Sequence, residues 1–310
     1  MIAISIRNNI ECISLKNDLL SVIIVPAMGG KILSIFNDQL QKEFLWHNNK
    51  VPFQAYTPGA DYDANFLGAI DELIPNDIPE IIDGIEYPDH GELWTTALQY
   101  KINGDAVTVY GYLPLSGLFY SKTISLKENS SLVKLDYQIV NQTNNTRHFL
   151  WKLHAALAIE QGDTLVTPAK TAKVVDAAYS RFEKQSDPFE WPFIGETNAA
   201  IVPKKNNTMD FFYLYSTGEG FMQMESAKDK TIFSYQYDTK VFPYQWYFAS
   251  YGGFLNHYTA ILEPCTTMPI SVKDAIGQKQ TAVLQPGEKI ETSVTIYAGI
   301  KNEIQGYERT

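Results

Sequence analysis

The chain alternates between apolar and polar residues with a period of two in many short segments, and this pattern most limits its fold. In 118–126 the apolar side chains stand at every second position, as on one face of a β-strand. A polar turn over 127–131 follows, and 132–140 then alternates again. Such a pair of segments predicts an antiparallel hairpin.

Turn sequences separate other segments of the same kind. Asn103-Gly104 stands between two apolar segments and is typical of a tight hairpin turn. Segments 282–284 and 290–297 flank a Pro-Gly turn, and the one helical candidate, 174–183, is short. Many short strands broken by Gly, Pro and Asn favour an all-β sandwich or barrel.

No Gly/Ser-rich or Pro-rich linker divides the chain, so we expect residues 1–310 to form one domain. Segments 55–92 and 184–210 lack alternation and are expected to be long excursions from the sheets. Long loops on a rigid β scaffold are where binding sites are often built.

The charge balance limits the class of ligand. The formal net charge is −10, which disfavours nucleic acid and anionic membranes as partners. Segment 61–92 contains ten acidic residues and no Lys or Arg, so it would repel phosphorylated substrates. A solvated acidic loop is the alternative interpretation, and an ion bound near this segment is left open.

Signals for export or membrane insertion are missing from the sequence. Cys12 and Cys265 form neither a metal-binding spacing nor a disulfide framework. The N-terminal residues lack a basic region followed by an apolar one, and no apolar run approaches the roughly 18 residues of a membrane span. We therefore expect a soluble cytoplasmic protein.

His154 is the first candidate for proton chemistry. If 147–156 is a strand, Phe149, Trp151 and Leu153 form its core face, and His154 lies on the opposite face with polar residues. An imidazole with an ordinary pKa of about 6.5 can donate and recover a proton near neutrality. A structural histidine is the alternative.

Glu263 is the second candidate. It ends an apolar run just before Pro264, which predicts a carboxylate at the end of a strand where the chain turns. Apolar neighbours would raise the pKa of this carboxyl toward the range useful for a general base. A glutamate that only caps the sheet is the alternative.

The string 89–94 adds further polar and aromatic candidates. Alternation would put His90, Glu92 and Trp94 on one side, an arrangement suited to a ligand wall. Asp89, His90 and Glu92 could also ligate a metal, but no second cluster has ligand spacing, so no metal is expected. Asp71 could bind sugar hydroxyls.

Trp246 is a second stacking candidate beside Trp94. A buried tryptophan of the core is an equal alternative for it.

Five short strings, in order, resemble the aldose 1-epimerases of the galactose mutarotase-like superfamily. They include an early strand with a Gly-Gly turn, a His-Gly-Glu motif, a histidine strand, a glutamate strand and a closing Pro-Gly-Glu turn. The strings are 25–32, 89–92, 141–154, 262–264 and 284–288.

The resemblance implies a large antiparallel β-sandwich that interconverts sugar anomers without a cofactor. Glu263 would take the proton from the anomeric hydroxyl, His154 would protonate the ring oxygen, and His90 would hold and orient the sugar. Members of the family often carry an arginine near the His-Gly motif; here that region has no basic residue, so the expected partner is a small neutral sugar. The oligomeric state is left open, a homodimer included.

Two other classes compete with the isomerase. A non-catalytic carbohydrate-binding protein could use the same scaffold, since a fold does not determine a function. A glycoside hydrolase or lyase would need two carboxylates across a cleft, which Glu263 with Asp71 or Glu92 could supply.

Overall fold

The computed structural model describes residues 1–177, 180–215 and 217–301, and these residues form mostly short β-strands. The strands are β1 Ile2–Arg7, β2 Ile10–Lys16, β3 Leu20–Val25, β4 Lys31–Asn37, β5 Lys42–Glu43, β6 Ile70–Leu73, β7 Glu80–Ile82, β8 Ile85–Tyr87, β9 Gln99–Asn103, β10 Ala106–Tyr112, β11 Leu118–Leu126, β12 Leu132–Asn141 and β13 Arg147–Phe149.

They continue with β14 Lys152–Ala158, β15 Thr164–Val166, β16 Thr171–Val174, β17 Phe189–Glu190, β18 Phe193–Ile194, β19 Thr197–Asn198, β20 Thr208–Tyr215, β21 Phe221–Glu225, β22 Thr231–Gln236, β23 Tyr244–Tyr251, β24 Tyr258–Cys265, β25 Ala282–Leu284 and β26 Lys289–Ile300. The helix α1 spans Val272–Gln278, and two 3₁₀ turns span Pro26–Met28 and Leu93–Thr95.

The predicted hairpins at 118–140 and around Asn103-Gly104 are confirmed, as β11 with β12 and β9 with β10. The segments 282–284 and 290–297 are strands too, but they do not pair with each other. β25 pairs with β13, and β26 lies between β12 and β22. Asn141 separates β25 from β26 because it binds the carbonyl of Leu284 and the backbone N–H of Gly287.

The helical candidate 174–183 is wrong as far as the described residues show. Val174 ends a strand, and residues 175–177 and 180–183 are irregular; residues 178 and 179 lie outside the described part. Within the described ranges the α-helix is α1, which Ser271 caps: its side-chain oxygen accepts a hydrogen bond from the backbone N–H of Asp274.

Two antiparallel sheets form the body of the structure. The first has twelve strands in the order β1-β2-β3-β4-β6-β14-β24-β23-β20-β16-β17, with β5 beside β4. The second has eight, in the order β15-β21-β22-β26-β12-β11-β10-β9. All strand pairs in both are antiparallel, so the predicted all-β antiparallel sandwich is confirmed.

The sheets face each other across one hydrophobic core. Trp151, just before β14, packs edge-on against Tyr137 of β12 with ring centroids 5.0 Å apart. A buried ion pair also joins the two sheets: the Lys122 ammonium lies 2.8 and 2.9 Å from the two carboxylate oxygens of Glu72. Tyr137 donates a further hydrogen bond of 2.7 Å to that carboxylate.

Strand alternation sends the remaining side chains of the first sheet to its other face. Leu153 of β14 and Leu262 of β24 lie in the core, so their neighbours His154 and Glu263 point away from it. Segments 44–69 and 74–92, the second of which contains the β7–β8 hairpin, contribute side chains to a pocket on this outer face. No helix within the described ranges has the length and apolar character that a membrane crossing requires.

Candidate active site

The covered face of the twelve-stranded sheet holds a pocket with a cavity volume of about 190 Å³. Its walls combine a cluster of ionisable side chains with several phenylalanine and tyrosine rings. The lining residues are Tyr62, Asp63, Phe66, Asp77, His90, Lys152, His154, Phe211, Phe248, Phe254, His257, Thr259, Ile261 and Glu263.

Two of the predicted residues form a contacting pair on the floor of this pocket. Nε2 of His154 lies 3.4 Å from Oε1 of Glu263, and both side chains are almost fully buried. They stand on the neighbouring strands β14 and β24. We call His154 and Glu263 the acid–base pair.

Burial changes the proton affinity of both members. It raises the pKa of Glu263 to about 7, although the ammonium of Lys152 opposes this shift. It lowers the pKa of His154 well below the usual range, and the charges of Lys152 and His90 lower it further. Near neutral pH the imidazole of His154 is therefore neutral, and the carboxyl group of Glu263 is partly protonated.

Lys152 provides the positive charge beside the pair. Its ammonium lies 2.7 Å from Oδ1 of Asp77 and 3.3 Å from Oε2 of Glu263, over the ring of Trp246. Burial acts to lower the pKa of Lys152, but the two carboxylates outweigh it and the pKa is raised. The same contact lowers the pKa of Asp77 despite its burial, so both remain ionised.

A tyrosine positions the histidine. The hydroxyl of Tyr62 lies 3.2 Å from Oδ2 of Asp71 and 3.4 Å from Nδ1 of His154. Asp71 is an acceptor held by the Lys31 ammonium at 2.6 Å, so Tyr62 donates to it and can accept from Nδ1–H of the imidazole. That tautomer leaves Nε2 of His154 unprotonated toward Glu263.

His90 lines the same pocket, stacked on Tyr62 at a centroid distance of 3.9 Å. It stands in a turn with φ 56°, and Gly91 follows with φ 71°. A Cβ on Gly91 would lie 2.3 Å from the carbonyl oxygen of Ile74, so only glycine lets this turn approach so closely. Burial lowers the pKa of His90, but the carboxylates of Asp89 and Asp77 raise it above the usual value overall.

The prediction that His90, Glu92 and Trp94 form one ligand wall is wrong, because these residues lie in a turn followed by a 3₁₀ helix. Alternation does not apply to 90–94, because the backbone there is not a strand. The carboxylate of Glu92 accepts from the backbone N–H groups of Leu115 and Ser116 at 2.6 and 2.9 Å, outside the pocket. Trp94 is buried with its ring edge-on to Tyr62.

Two further predicted contacts lie behind the pocket wall. Asp71 is occupied by Lys31 and Tyr62, so it supports the site and does not line it. Trp246 is fully buried beneath Lys152 and has no surface for stacking on a sugar. The core alternative is therefore correct for this tryptophan.

The predicted strand end at Glu263 is also wrong. β24 continues through Pro264 to Cys265 and pairs along its length with β23. Toward β14 it pairs at Cys265 and Leu262 but not at the two positions between them. The proline has no N–H to donate and is tolerated in that gap. Glu263 thus stands inside the sheet.

A metal at the string 89–94 would have a different ligand set from the predicted one. Glu92 points away, whereas Asp63 approaches Asp89 and His90, with one ligand atom from each within 4.8 Å of the others. Nδ1 of His90 is already 2.9 Å from Oδ2 of Asp89, which gives this cluster an internal partner.

Sequence reasoning missed three residues that shape the chemistry: Tyr62, Asp77 and Lys152. Lys152 stands two residues before His154, which places both on one face of a strand, so period-two alternation could have marked it. Tyr62 and Asp77 lie in irregular segments, where no periodicity indicates which way a side chain points.

Comparison with solved structures identifies the fold. No family model matches the chain. A Klebsiella pneumoniae protein provisionally described as an aldose 1-epimerase superposes with a TM-score of 0.73 at 12% identity, over 97% of this chain and 85% of that one. The chain has the galactose mutarotase-like fold.

Two more solved structures agree. A galactose mutarotase-like protein from Clostridium acetobutylicum gives a TM-score of 0.69 at 16% identity, covering 96% of this chain and 98% of that one. A TPR-domain containing protein from Parabacteroides distasonis gives 0.70 at 16% identity over 94% of this chain, which spans 47% of that longer protein. The fold expected from the resemblance is confirmed.

Proposed function

We propose that this protein is an aldose 1-epimerase-type isomerase that interconverts the α and β anomers of a neutral sugar. The observation that carries the proposal is the acid–base pair, with Nε2 of His154 and Oε1 of Glu263 3.4 Å apart on the floor of an aromatic pocket. The anomeric hydroxyl and the ring oxygen share one carbon, so an acid and a base that serve both must stand side by side.

The reaction requires one proton on the pair, which must pass from the Glu263 carboxyl to the His154 imidazole before the ring opens. In ring opening, the carboxylate of Glu263 takes the proton of the anomeric hydroxyl while protonated His154 gives one to the ring oxygen. The open aldehyde then lies beside a protonated Glu263 and a neutral His154. Rotation about the C1–C2 bond and ring closure return both protons, so one proton on the pair serves both directions.

The hydrolase alternative loses the two carboxylates that the sequence suggested as partners of Glu263. Glu92 and Asp71 are hydrogen-bonded outside the pocket. Two other carboxylates line the pocket. Asp77 binds the same Lys152 ammonium as Glu263, and Asp63 lies beside Asp89 and His90. Glycoside hydrolysis requires carboxyl groups on opposite sides of the scissile bond.

The test is polarimetric relaxation of freshly dissolved pure anomers over a panel of neutral aldoses. Wild type is expected to accelerate mutarotation of at least one of them, and Glu263→Gln and His154→Gln to lower the rate by about 10²–10⁴. Glu128→Gln, in the exposed turn after β11, is the matched control and keeps the wild-type rate. Absence of acceleration with every sugar, by a folded protein, would refute the proposal.

A further inference from the structure

The pocket is chemically divided along the strands of its floor. Glu263, Trp246 and Tyr213 stand opposite one another in neighbouring strands and form one row across the sheet. Two residues further along each strand, Ile261, Phe248 and Phe211 form a second row, which we call the apolar row. Successive rows on one face lie about 7 Å apart, roughly one sugar ring.

The apolar row offers no hydrogen-bonding group. Its three side chains end in carbon only, and Phe254 extends it, with its ring 5.5 Å from that of Phe248. Lys152 and Asp77, in contrast, lie at the acid–base pair, and His257 is the ionisable group beside Phe254 at the apolar end. A sugar with its anomeric carbon at the pair would therefore reach from a polar end into an apolar one.

The ring orientations favour a small apolar group over a stacked sugar face. The planes of Phe248 and Phe254 are 86° apart, and those of Phe211 and Phe248 are 71° apart. Rings at such angles form a concave corner, whereas a stacking platform presents one flat face. A methyl group fits a corner of this kind.

Two polar side chains at this end already have partners within the protein. The hydroxyl of Thr259 donates to the carbonyl of Leu157 at 2.9 Å, and Nε2 of His257 lies 3.3 Å from the side-chain amide of Asn48. A hydroxyl buried directly against the apolar row would lose its water and gain no hydrogen bond from the three side chains of the row, which is unfavourable.

We propose that the preferred substrates are 6-deoxyhexoses, whose methyl group lies against the apolar row while the anomeric centre lies at the acid–base pair. This inference rests on the proposed function for its reaction, but the selectivity concerns a different end of the pocket. It names a sugar class by the chemistry of Ile261, Phe248 and Phe211.

Matched sugars test the selectivity. D-galactose, D-fucose and L-arabinose share one ring configuration and carry at C5 a hydroxymethyl, a methyl and a hydrogen; D-glucose, D-quinovose and D-xylose, or L-mannose, L-rhamnose and L-lyxose, repeat the series. In whichever series the enzyme accepts as substrates, kcat/KM for the methyl sugar is expected to exceed kcat/KM for the hydroxymethyl sugar by about tenfold to hundredfold.

A pair of variants at one position assigns the preference to the row. Ile261→Thr introduces a hydroxyl, and Ile261→Val shortens the same side chain without one. We expect Ile261→Thr to reduce the methyl-to-hydroxymethyl ratio of kcat/KM by about tenfold and Ile261→Val to preserve it. Calorimetry with the Glu263→Gln variant measures the dissociation constants of the same sugars, and therefore the preference, in the absence of turnover.

The outcomes separate the two proposals. Mutarotation with equal rates for methyl and hydroxymethyl sugars, or with the hydroxymethyl sugar preferred, overturns the 6-deoxyhexose inference and leaves the isomerase proposal standing. No mutarotation, together with tighter binding of methyl sugars by Glu263→Gln, overturns the isomerase and supports the selectivity. Equal reduction of the ratio in both Ile261 variants would also overturn the role of the row.

Discussion

Replacing Glu263 by glutamine should stabilise the folded protein at alkaline pH while abolishing its proposed chemistry. The side chain is about 3% exposed, and burial raises its pKa from 4.5 to about 7. The folded state therefore binds a proton at this site more tightly than the unfolded state does. Stability from this group is complete below about pH 4.5 and is lost as the pH rises to about 7.

The size of the effect follows from the shift. A rise from 4.5 to about 7, at 1.36 kcal/mol per pKa unit, corresponds to about 3 kcal/mol, most of which develops between pH 5 and pH 8. Glutamine resembles the protonated acid and has no such dependence. The difference in unfolding free energy between Glu263→Gln and wild type should thus move by about 2–3 kcal/mol in favour of the variant over this range.

Urea unfolding followed by tryptophan fluorescence at pH 5, 6, 7 and 8 measures this difference. Subtracting the two proteins removes the slopes of groups that they share, including that of His154, whose pKa shift has the opposite sign. Glu128→Gln, exposed in a turn, should differ from wild type by a constant amount. A difference between Glu263→Gln and wild type that is independent of pH, or that favours wild type as the pH rises, would refute the reasoning.

Three other variants test the surroundings of the acid–base pair and the core. Lys152→Met removes the charge that opposes the raised pKa of Glu263, so the alkaline limb of the kcat/KM profile should move to higher pH. Asp77→Asn should move that limb to lower pH, and Lys152→Arg should leave it in place. Shifts of the limb in the same direction for Lys152→Met and Asp77→Asn would contradict this. Tyr62→Phe removes the hydroxyl beside the imidazole and should lower kcat about tenfold with KM little changed, as steady-state polarimetry would report. Lys122→Met leaves the Glu72 carboxylate buried without its cation and should lower the free energy of unfolding in urea by about 3–5 kcal/mol. Adding Glu72→Gln to the same chain should restore a large part of that free energy. If Lys122→Met alone were as stable as wild type, the stabilising role of the ion pair would be refuted.

The strands and the direction of the His154 side chain could be predicted from the sequence because both follow from local rules. Alternation depends only on the two-residue repeat of a strand, so it identified β11 within 118–126 and the core face of Trp151 and Leu153 correctly. Segment 147–156 is not one strand, however, because residues 150 and 151 separate β13 from β14, which belong to different sheets. The same repeat turned His154 away from the core, into the pocket.

Only the tertiary structure decided how the irregular segments meet the sheet. Nothing local indicates that Tyr62 reaches His154 or that Asp77 reaches Lys152, because these contacts join residues 92 and 75 positions apart and depend on how the whole sheet is assembled. The predicted ligand wall at 89–94 was wrong for a related reason: the positive φ of His90 interrupts the two-residue repeat on which the prediction depended. Along a strand, the direction of each side chain follows from that of its neighbour by alternation. In a loop, the direction depends on the surface against which the loop packs.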